Sequence, residues 1–247
     1  MCNFAPKYND NGMKYAIIAA GEGSRLAAEG VTDPKPLITI NGEMMIDRLI
    51  RIFMQNDAEE IVVICNSQAP QVARHLEDLQ HNGLCGLPLP LRFIVKSTPS
   101  SMHSFAALSP FLSGSRFILT TVDTIFREDE FAAFVETFRQ SPQSLFPVTA
   151  YSDDECPLWV AVDDSLRITG FHDTPCHSAY VSAGIYGLLP DALTTLKGCL
   201  GRRESRMRNF QRALIADGHP ITAFPMSEVF DVDHVSDIRK ASSFLQS

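Results

Sequence analysis

The sequence predicts an α/β fold built on a doubly wound, mostly parallel β-sheet, and three observations support this. Short apolar runs alternate with helical patterns four times over about the first 140 residues. Some runs are almost continuously apolar, such as EIVVIC at 60–65, which is typical of a parallel strand buried on both faces. Glycine or polar residues follow the runs, at the strand ends where such sheets bind ligands.

The first half of the chain accounts for most of the predicted sheet. Buried strands are predicted at 14–20, 60–65, 91–95 and 116–122. Apolar residues at helical spacing predict helices at 43–56, 69–81, 102–112 and about 131–138. Asn66 or Ser67 is the expected N-cap of the second of these helices, because both residue types accept hydrogen bonds from the first helical turn.

The second half changes character and predicts a smaller part of mixed strands and helices. Short strands are predicted at 145–151, 158–162, 167–171, 180–188 and 221–225. Helices are predicted at 190–200, 203–217 and 235–245. Since no linker separates the halves, we expect one domain over 14–247, preceded by a flexible tail at 1–13.

Composition excludes several classes of protein. The net charge of −8 argues against a basic surface that binds nucleic acid. No apolar run approaches the roughly 20 residues that span a bilayer, and the first dozen residues contain no secretory signal. The six cysteines are scattered without a C-x-x-C pair, which predicts a reduced, cytoplasmic protein without a structural metal. The oligomeric state stays open.

Residues 14–37 are the most informative stretch. An apolar strand ends at Gly21 and Gly23, whose backbone N–H groups can form an anion-binding concavity. Arg25 adds a forked cation, and Lys35 adds a compact one between two stiffening prolines. These features predict a cradle for a polyphosphate. The alternative is an ordinary strand–loop–helix turn with surface cations, which would not need both features.

Two common glycine motifs do not fit this stretch. Leu26 occupies the third glycine position of the dinucleotide fingerprint, and the phosphate loop G-x-x-x-x-G-K-[ST] is absent. The segments AAGEGSRL at 19–26 and PKPL at 34–37 instead resemble the signature of the nucleotidyltransferase superfamily, which includes the sugar-nucleotide pyrophosphorylases. The resemblance implies a Rossmann-like nucleotidyltransferase fold of the GT-A type, with a nucleotide-binding half at 14–142 and an acceptor-binding half at 143–247.

Two aspartates are candidate metal ligands. Asp123 follows a predicted strand, where Mg²⁺ could use its carboxylate, and Asp233 lies just before a predicted helix. Taken alone, each has a simpler explanation, as a turn residue and as a helix N-cap. VDTIF and DVDHVSDI resemble the superfamily's metal-binding segments, so the resemblance implies that Asp123 and Asp233 bind Mg²⁺, with Asp231 as the competitor for the second position.

The same resemblance implies further roles. Arg25 would hold the β- and γ-phosphates, and Lys35 would bridge the α-phosphate and the acceptor phosphate. Gly184, in a segment like the family's V-N-A-G-I-Y strand, and Thr174 would contact the acceptor. The nucleotide-binding residues would be Ala20, Gly21, Glu22, Gly23, Ser100, Ser101 and Asp123. The seven histidines need no catalytic role.

Three departures from the family pattern concern the substrates. Thr174 stands where many members have a lysine that binds a sugar phosphate, and Thr cannot neutralise that charge. Ser182 replaces the usual asparagine, and Ser100 replaces the glycine that approaches the base. A group of arginines could supply the missing cation, or it could simply form the solvated face of a helix, which is the simpler explanation; these are Arg202, Arg203, Arg206 and Arg208.

The resulting hypothesis is an Mg²⁺-dependent nucleotidyltransferase. It would transfer a nucleoside monophosphate from a nucleoside triphosphate to a sugar 1-phosphate or similar phosphorylated acceptor and release pyrophosphate. An alternative is cytidylyl transfer to a non-sugar phosphate such as phosphocholine. A non-catalytic nucleotide sensor on the same fold stays open, although Arg25, Lys35 and Asp123 are all present. A glycosyltransferase ranks last, because Ile125 stands where its D-x-D motif would need a second aspartate.

Overall fold

The structure is a computed structural model and describes residues 13–151 and 156–246. The strands are β1 (Met13–Ala19), β2 (Thr39–Ile40), β3 (Glu43–Met44), β4 (Ala58–Cys65), β5 (Leu91–Val95), β6 (Phe117–Thr121), β7 (Thr124–Ile125), β8 (Ser144–Thr149), β9 (Trp159–Val162), β10 (Ile168–His172), β11 (Val181–Ser182), β12 (Ile185–Leu188), β13 (Ile221–Met226) and β14 (Phe230–Asp231). The helices are α1 (Ser24–Ala28), α2 (Met45–Gln55), α3 (Pro70–Asn82), α4 (Ser101–Leu112), α5 (Glu128–Gln140), α6 (Ala192–Gly201), α7 (Met207–Ala216) and α8 (Val235–Phe244).

One ten-stranded sheet runs through both halves of the chain, in the order β10-β9-β11-β8-β12-β6-β1-β4-β5, with β13 paired to β8. The strands of the first half, β6, β1, β4 and β5, are parallel neighbours. The second half joins through β12, which is antiparallel to both β6 and β8. The predicted α/β class is therefore confirmed, with a parallel sheet in the first half and mixed strands in the second.

The sheet lies between two helical layers. Alternate residues of β1 point to opposite faces of the sheet and pack against different layers. Tyr15 and Ile17 belong to a core formed with α2, α3 and α5, whereas Ala16 and Ile18 belong to a core formed with α4, α6 and α7. Both faces of β1 are buried, which explains why its sequence is a continuous apolar run rather than an alternating one.

The structure corrects several predicted boundaries. Met13, which the sequence placed in the tail, is fully buried and begins β1, while residues 1–12 of that predicted tail lie outside the described residues. The helix predicted at 203–217 begins at Met207. The strand predicted at 180–188 is interrupted at Gly184, whose φ of 70° is a left-handed conformation that favours glycine.

In the described part of the chain, no helix is both long enough and apolar enough to cross a membrane.

Candidate active site

The glycine loop and the proline-flanked lysine lie against each other. Gly23 has a φ of 62°, and a Cβ atom added there would lie 3.6 Å from the Cβ of Lys35. A Cβ atom at Gly21 would meet nothing within 4 Å, so the loop is open on that side. Pro34 is extended and a 3-10 turn begins at Lys35, which directs its side chain inward. The structure therefore brings together the two halves of the motif.

A short β-ladder brings the late aspartates to Asp123. Strand β7 follows Asp123 and pairs antiparallel with β14, which places Thr124 opposite Asp231. The N–H of Val232 also donates to the carbonyl oxygen of Asp123 at 3.1 Å. Residues more than 100 positions apart in sequence are thereby held together by backbone hydrogen bonds.

A small apolar core, separate from the two that flank the sheet, supports this arrangement. The segments that carry Arg25, Lys35, Asp123 and the late aspartates contribute to it, so burial of these residues holds α1, the Lys35 segment, β7 and β14 together. The core consists of Leu26, Ile38, Ile40, Met45, Ile125, Phe230, Val232 and Ala241.

Lys35 is the centre of the polar cluster. Its Nζ lies 2.5 Å from Oδ2 of Asp123 and 2.7 Å from Oδ1 of Asp233. Arg25 contacts the other oxygen of Asp233, with Nη1 2.7 Å from Oδ2. Burial opposes the charge on Lys35, but the two carboxylates outweigh it and raise the pKa of the ammonium group. Lys35 is therefore held as a cation between the two aspartates, and Arg25 is more exposed above them.

The two aspartates have the right chemistry for a divalent cation. Oδ1 of Asp123 is buried and, among the described residues, has no hydrogen-bond partner. A buried carboxylate oxygen without a donor carries a desolvation cost that a cation would offset. No cluster of three or more acidic, histidine or cysteine ligands is found in the described residues. Mg²⁺ commonly uses one or two protein carboxylates and takes its other ligands from phosphate and water, so the pair fits it.

Asp231 occupies a different position from Asp233. Its Oδ1 accepts a hydrogen bond from Oγ1 of Thr124 at 3.0 Å. Asp231 is exposed, but desolvation by the surrounding protein raises the pKa of its carboxyl group, and the charge of Asp123 raises it further. For Asp233, burial acts in the same direction, but the hydrogen bond from Lys35 and the charges of Lys35 and Arg25 together outweigh it and lower the pKa. Asp233 is therefore the carboxylate paired with the cations.

The simpler explanation of Asp233 as a helix N-cap does not hold. The residue that caps α8 is His234. Oδ2 of Asp237 accepts hydrogen bonds from the backbone N–H groups of Asp233 and His234, at 3.0 and 2.7 Å. Asp237 thus fixes the backbone at Asp233 and leaves the Asp233 side chain available for Lys35.

Glu29 provides a second attachment between the early and late segments. Its carboxylate accepts from the backbone N–H of Val235 at 2.7 Å and contacts Nδ1 of His234 at 2.5 Å. The hydrogen bond from His234 is the main reason that the pKa of Glu29 is lowered, and the same bond raises the pKa of His234. Glu29 follows α1, so these contacts hold the Arg25 helix beside the start of α8.

Asn66 has a role that the sequence did not reveal. It is not the cap of α3, which begins after Ala69. Its buried amide donates to the carbonyl oxygen of Ala20 at 3.2 Å and accepts from Oγ of Ser97 at 2.6 Å. Asn66 therefore links the ends of β1, β4 and β5 beneath the glycine loop. A polar residue directly after a buried strand was the only signal of this role in the sequence.

The other predicted nucleotide-binding residues lie at the same edge of the sheet. Glu22 is exposed in the glycine loop. Ser100 caps α4, with Oγ accepting from the N–H of His103 at 3.4 Å, and Ser101 begins that helix. The structure gives Ser100 a structural function as the helix cap, and contact with a base stays a prediction.

The two predicted acceptor residues differ in their surroundings. A Cβ atom at Gly184 would lie 3.7 Å from Oγ1 of Thr124, the hydroxyl that binds Asp231, so Gly184 lies beside the aspartates. Thr174 is exposed in the segment after β10, and no hydrogen bond of the described residues joins it to Lys35 or Asp123. The structure thus brings Gly184 to the cluster but does not bring Thr174 into contact with it.

A glycine-rich loop at the end of a parallel strand, two cations and a carboxylate pair beside it define an α/β protein of the nucleotide-binding class. A family model described as nucleotidyl transferase matches residues 14–247. The chain belongs to this family, which confirms both the resemblance seen in the motifs and the predicted enzyme class, nucleotidyltransferase.

Solved structures share the fold. One assigned as a glucose-1-phosphate thymidylyltransferase from Bacillus anthracis is 20% identical, with a TM-score of 0.82 and 96% of each chain covered. The inositol-1-phosphate CTP transferase from T. maritima is 17% identical, with a TM-score of 0.75, covering 97% of this chain and 98% of that one. A UTP-bound UGPase from Acinetobacter baumannii is 16% identical, with a TM-score of 0.76, covering 95% of this chain and 93% of that one.

At these identities the likeness shows the fold alone. No curated protein sequence matches the chain.

Proposed function

We propose that this protein transfers a nucleoside monophosphate from a nucleoside triphosphate to a phosphorylated small molecule, such as a sugar 1-phosphate, and releases pyrophosphate. The observation that carries the proposal is the position of Lys35, whose Nζ contacts Asp123 and Asp233 beside the open glycine loop. A cation there, with Arg25 above it, suits a substrate that brings several phosphate charges and a metal.

Asp123 and Asp233 would hold Mg²⁺. When bound, the metal would neutralise charge on the phosphates during transfer. Asp233 is preferred to Asp231 as the second ligand, because Asp233 shares Lys35 with Asp123 whereas Asp231 is bonded to Thr124.

The chain's own residues would position the reacting groups and balance their charge. N–H groups of the loop at 20–23 would bind the triphosphate, and Arg25 would hold its β- and γ-phosphates. Lys35 would bridge the α-phosphate and the acceptor phosphate. An acceptor phosphate oxygen would form the new bond to the α-phosphorus as the bond to the β-phosphate oxygen breaks. Because this nucleophile is already an anion, no general base is needed.

The proposal is tested by measuring pyrophosphate release with Mg²⁺ across the four common nucleoside triphosphates and a panel of acceptors. The panel should include glucose 1-phosphate, inositol 1-phosphate and phosphocholine, because Thr174 removes the lysine expected for a sugar phosphate. We expect activity with at least one pair, and that pair identifies the base and the acceptor. Nucleotide binding without activity for any pair would overturn the proposal in favour of a sensor.

A further inference from the structure

Helix α7 covers the acceptor half with polar side chains that the proposed mechanism does not use. Arg208, Gln211 and Arg212 lie three and four residues apart, so they share one face of the helix. All three side chains reach toward strands β10, β11 and β12, where the sequence departs from the family pattern at Thr174 and Ser182.

Two arginines of α7 bind the residue next to Thr174. Nη1 of Arg208 lies 2.5 Å from Oδ1 of Asp173, and Nη2 of Arg212 lies 2.7 Å from Oδ2. Among the residues that the structure describes, these two guanidinium groups share one carboxylate, beside Thr174. Each arginine is also fixed by a backbone carbonyl, that of Cys156 for Arg208 and that of Phe171 for Arg212, both at 3.1 Å. The charge is therefore held in place rather than on a mobile side chain.

The third residue, Gln211, connects the helix to the strand turn beside the aspartates. Only 2% of Gln211 is exposed. Its Oε1 accepts from Oγ of Ser182 at 3.2 Å, and its Nε2 donates to the hydroxyl of Tyr186 at 3.3 Å. Gln211 thus supplies an amide where Ser182 has none. One helix therefore contacts both Asp173, the neighbour of Thr174, and Ser182, which lies two residues before Gly184.

We propose that Arg208 and Arg212 determine acceptor specificity by supplying the positive charge for the acceptor phosphate that Thr174 cannot supply. This proposal rests on the proposed function and deepens it, because it assigns the charge at the acceptor end to α7. Asp173 acts as the positioning residue that keeps both guanidinium groups beside Thr174. The acceptor class that this arrangement favours is a phosphate monoester, whose dianion suits paired arginines.

The test measures binding, so it does not depend on turnover. Inorganic phosphate and glucose 1-phosphate are titrated calorimetrically into the full chain, in the wild type and in a variant carrying Arg208→Ala and Arg212→Ala. We expect the double variant to lose about tenfold or more in affinity for both probes, the scale of losing a charged hydrogen bond. Arg92→Ala is the control, because Arg92 pairs with Glu60 at the opposite edge of the sheet.

A rescue variant separates charge supply from a merely structural role. Thr174→Lys should raise phosphate affinity in the wild type and restore it in the double variant, because it returns a cation to the same place. Loss of α7 packing alone would not be repaired by a lysine at 174. Equal affinity of wild type and double variant, including no binding by either, would overturn the proposal, as would failure of Thr174→Lys to restore affinity. Failure of the proposed function instead appears as absence of pyrophosphate release.

Discussion

The Nζ of Lys35 lies 2.5 Å from Oδ2 of Asp123, although 88 residues separate them in the chain. The same nitrogen reaches Asp233, so one ammonium group neutralises charge on both carboxylates. In this arrangement Lys35 stands between the two groups that would hold a divalent cation. In the proposed mechanism, Lys35 would turn to substrate phosphate once a divalent cation balances the two aspartates.

We therefore expect Lys35→Met to bind Mg²⁺ more tightly than the wild type when no nucleotide is present. Removing the ammonium leaves the aspartates without their main counter-charge, and the expected gain is about tenfold in affinity. The measurement is calorimetric titration of Mg²⁺ into both proteins. Lys14→Met is the matched control, because Lys14 pairs with Glu60 away from the cluster. Unchanged affinity in Lys35→Met would show that Lys35 does not compete with the metal.

The two loop glycines should respond differently to the same substitution. Gly23→Ala places a side chain at a φ of 62°, which costs roughly 1 kcal/mol in stability. Gly21→Ala meets open space and should leave the melting temperature unchanged. It should nevertheless weaken nucleotide binding, because a methyl group would occupy the space where phosphate approaches the loop. Thermal denaturation and nucleotide titration of both variants test this, and unchanged nucleotide affinity of Gly21→Ala would contradict the cradle.

Asp237 should matter through the backbone that it holds. Asp237→Ala removes the acceptor for two N–H groups at the start of α8, which costs about 1 kcal/mol, as for loss of a helix cap. Because Asp233 is then less fixed, pyrophosphate release should also fall. Ser243→Ala is the control, since Ser243 is exposed in the same helix and its hydroxyl donates to the carbonyl oxygen of Arg239, away from these groups. Full activity in a destabilised Asp237→Ala protein would show that Asp233 does not depend on this cap.

A histidine remote from the site should give stability a measurable pH dependence. Nε2 of His75 lies 2.6 Å from Oδ1 of Asp47, and this hydrogen bond raises the pKa of His75. Because the pKa of His75 is higher in the folded state, its contact with Asp47 contributes its full stabilisation at pH values below the unfolded-state pKa of about 6.5. This stabilisation is lost as the pH rises through the folded-state pKa. We expect His75→Asn to be less stable than wild type at about pH 6, with the difference shrinking by about pH 9.

The comparison uses thermal denaturation across that range, with His81→Asn as the control. His81 lies exposed in the same helix, and its Nδ1 is 2.7 Å from the carbonyl oxygen of Glu77 in the preceding turn. A difference between His75→Asn and wild type that stays constant with pH would contradict the assignment.

Motifs that are local in sequence were predictable. The glycine loop, the lysine between prolines and the strand before Asp123 all follow from runs of adjacent residues, and the structure brings them together. The short ladder between β7 and β14 was not predictable, because two-residue strands carry no period. The choice between Asp231 and Asp233 depends on that ladder, so the sequence left it open.

Side chains whose hydrogen-bond partners are distant in sequence could not be assigned from the sequence for a similar reason. The neighbouring sequence predicts Asn66 as a helix cap, but its side-chain amide donates to the carbonyl oxygen of Ala20. Arg48 in α2 is buried and donates to the carbonyl oxygen of Phe126 at 2.7 Å, a contact that no motif in the sequence indicates. In both cases the partner lies more than 40 residues away, and local propensity contains no information about it.

The most direct test of the account is pyrophosphate release by Lys35→Ala beside the wild type, with the nucleotide and acceptor pair that the panel identifies. We predict that the variant still folds but is slower by about 10²-fold or more, the scale of losing one preorganised charge contact. A folded Lys35→Ala protein as active as the wild type would contradict the role given to Lys35 and, with it, the mechanism.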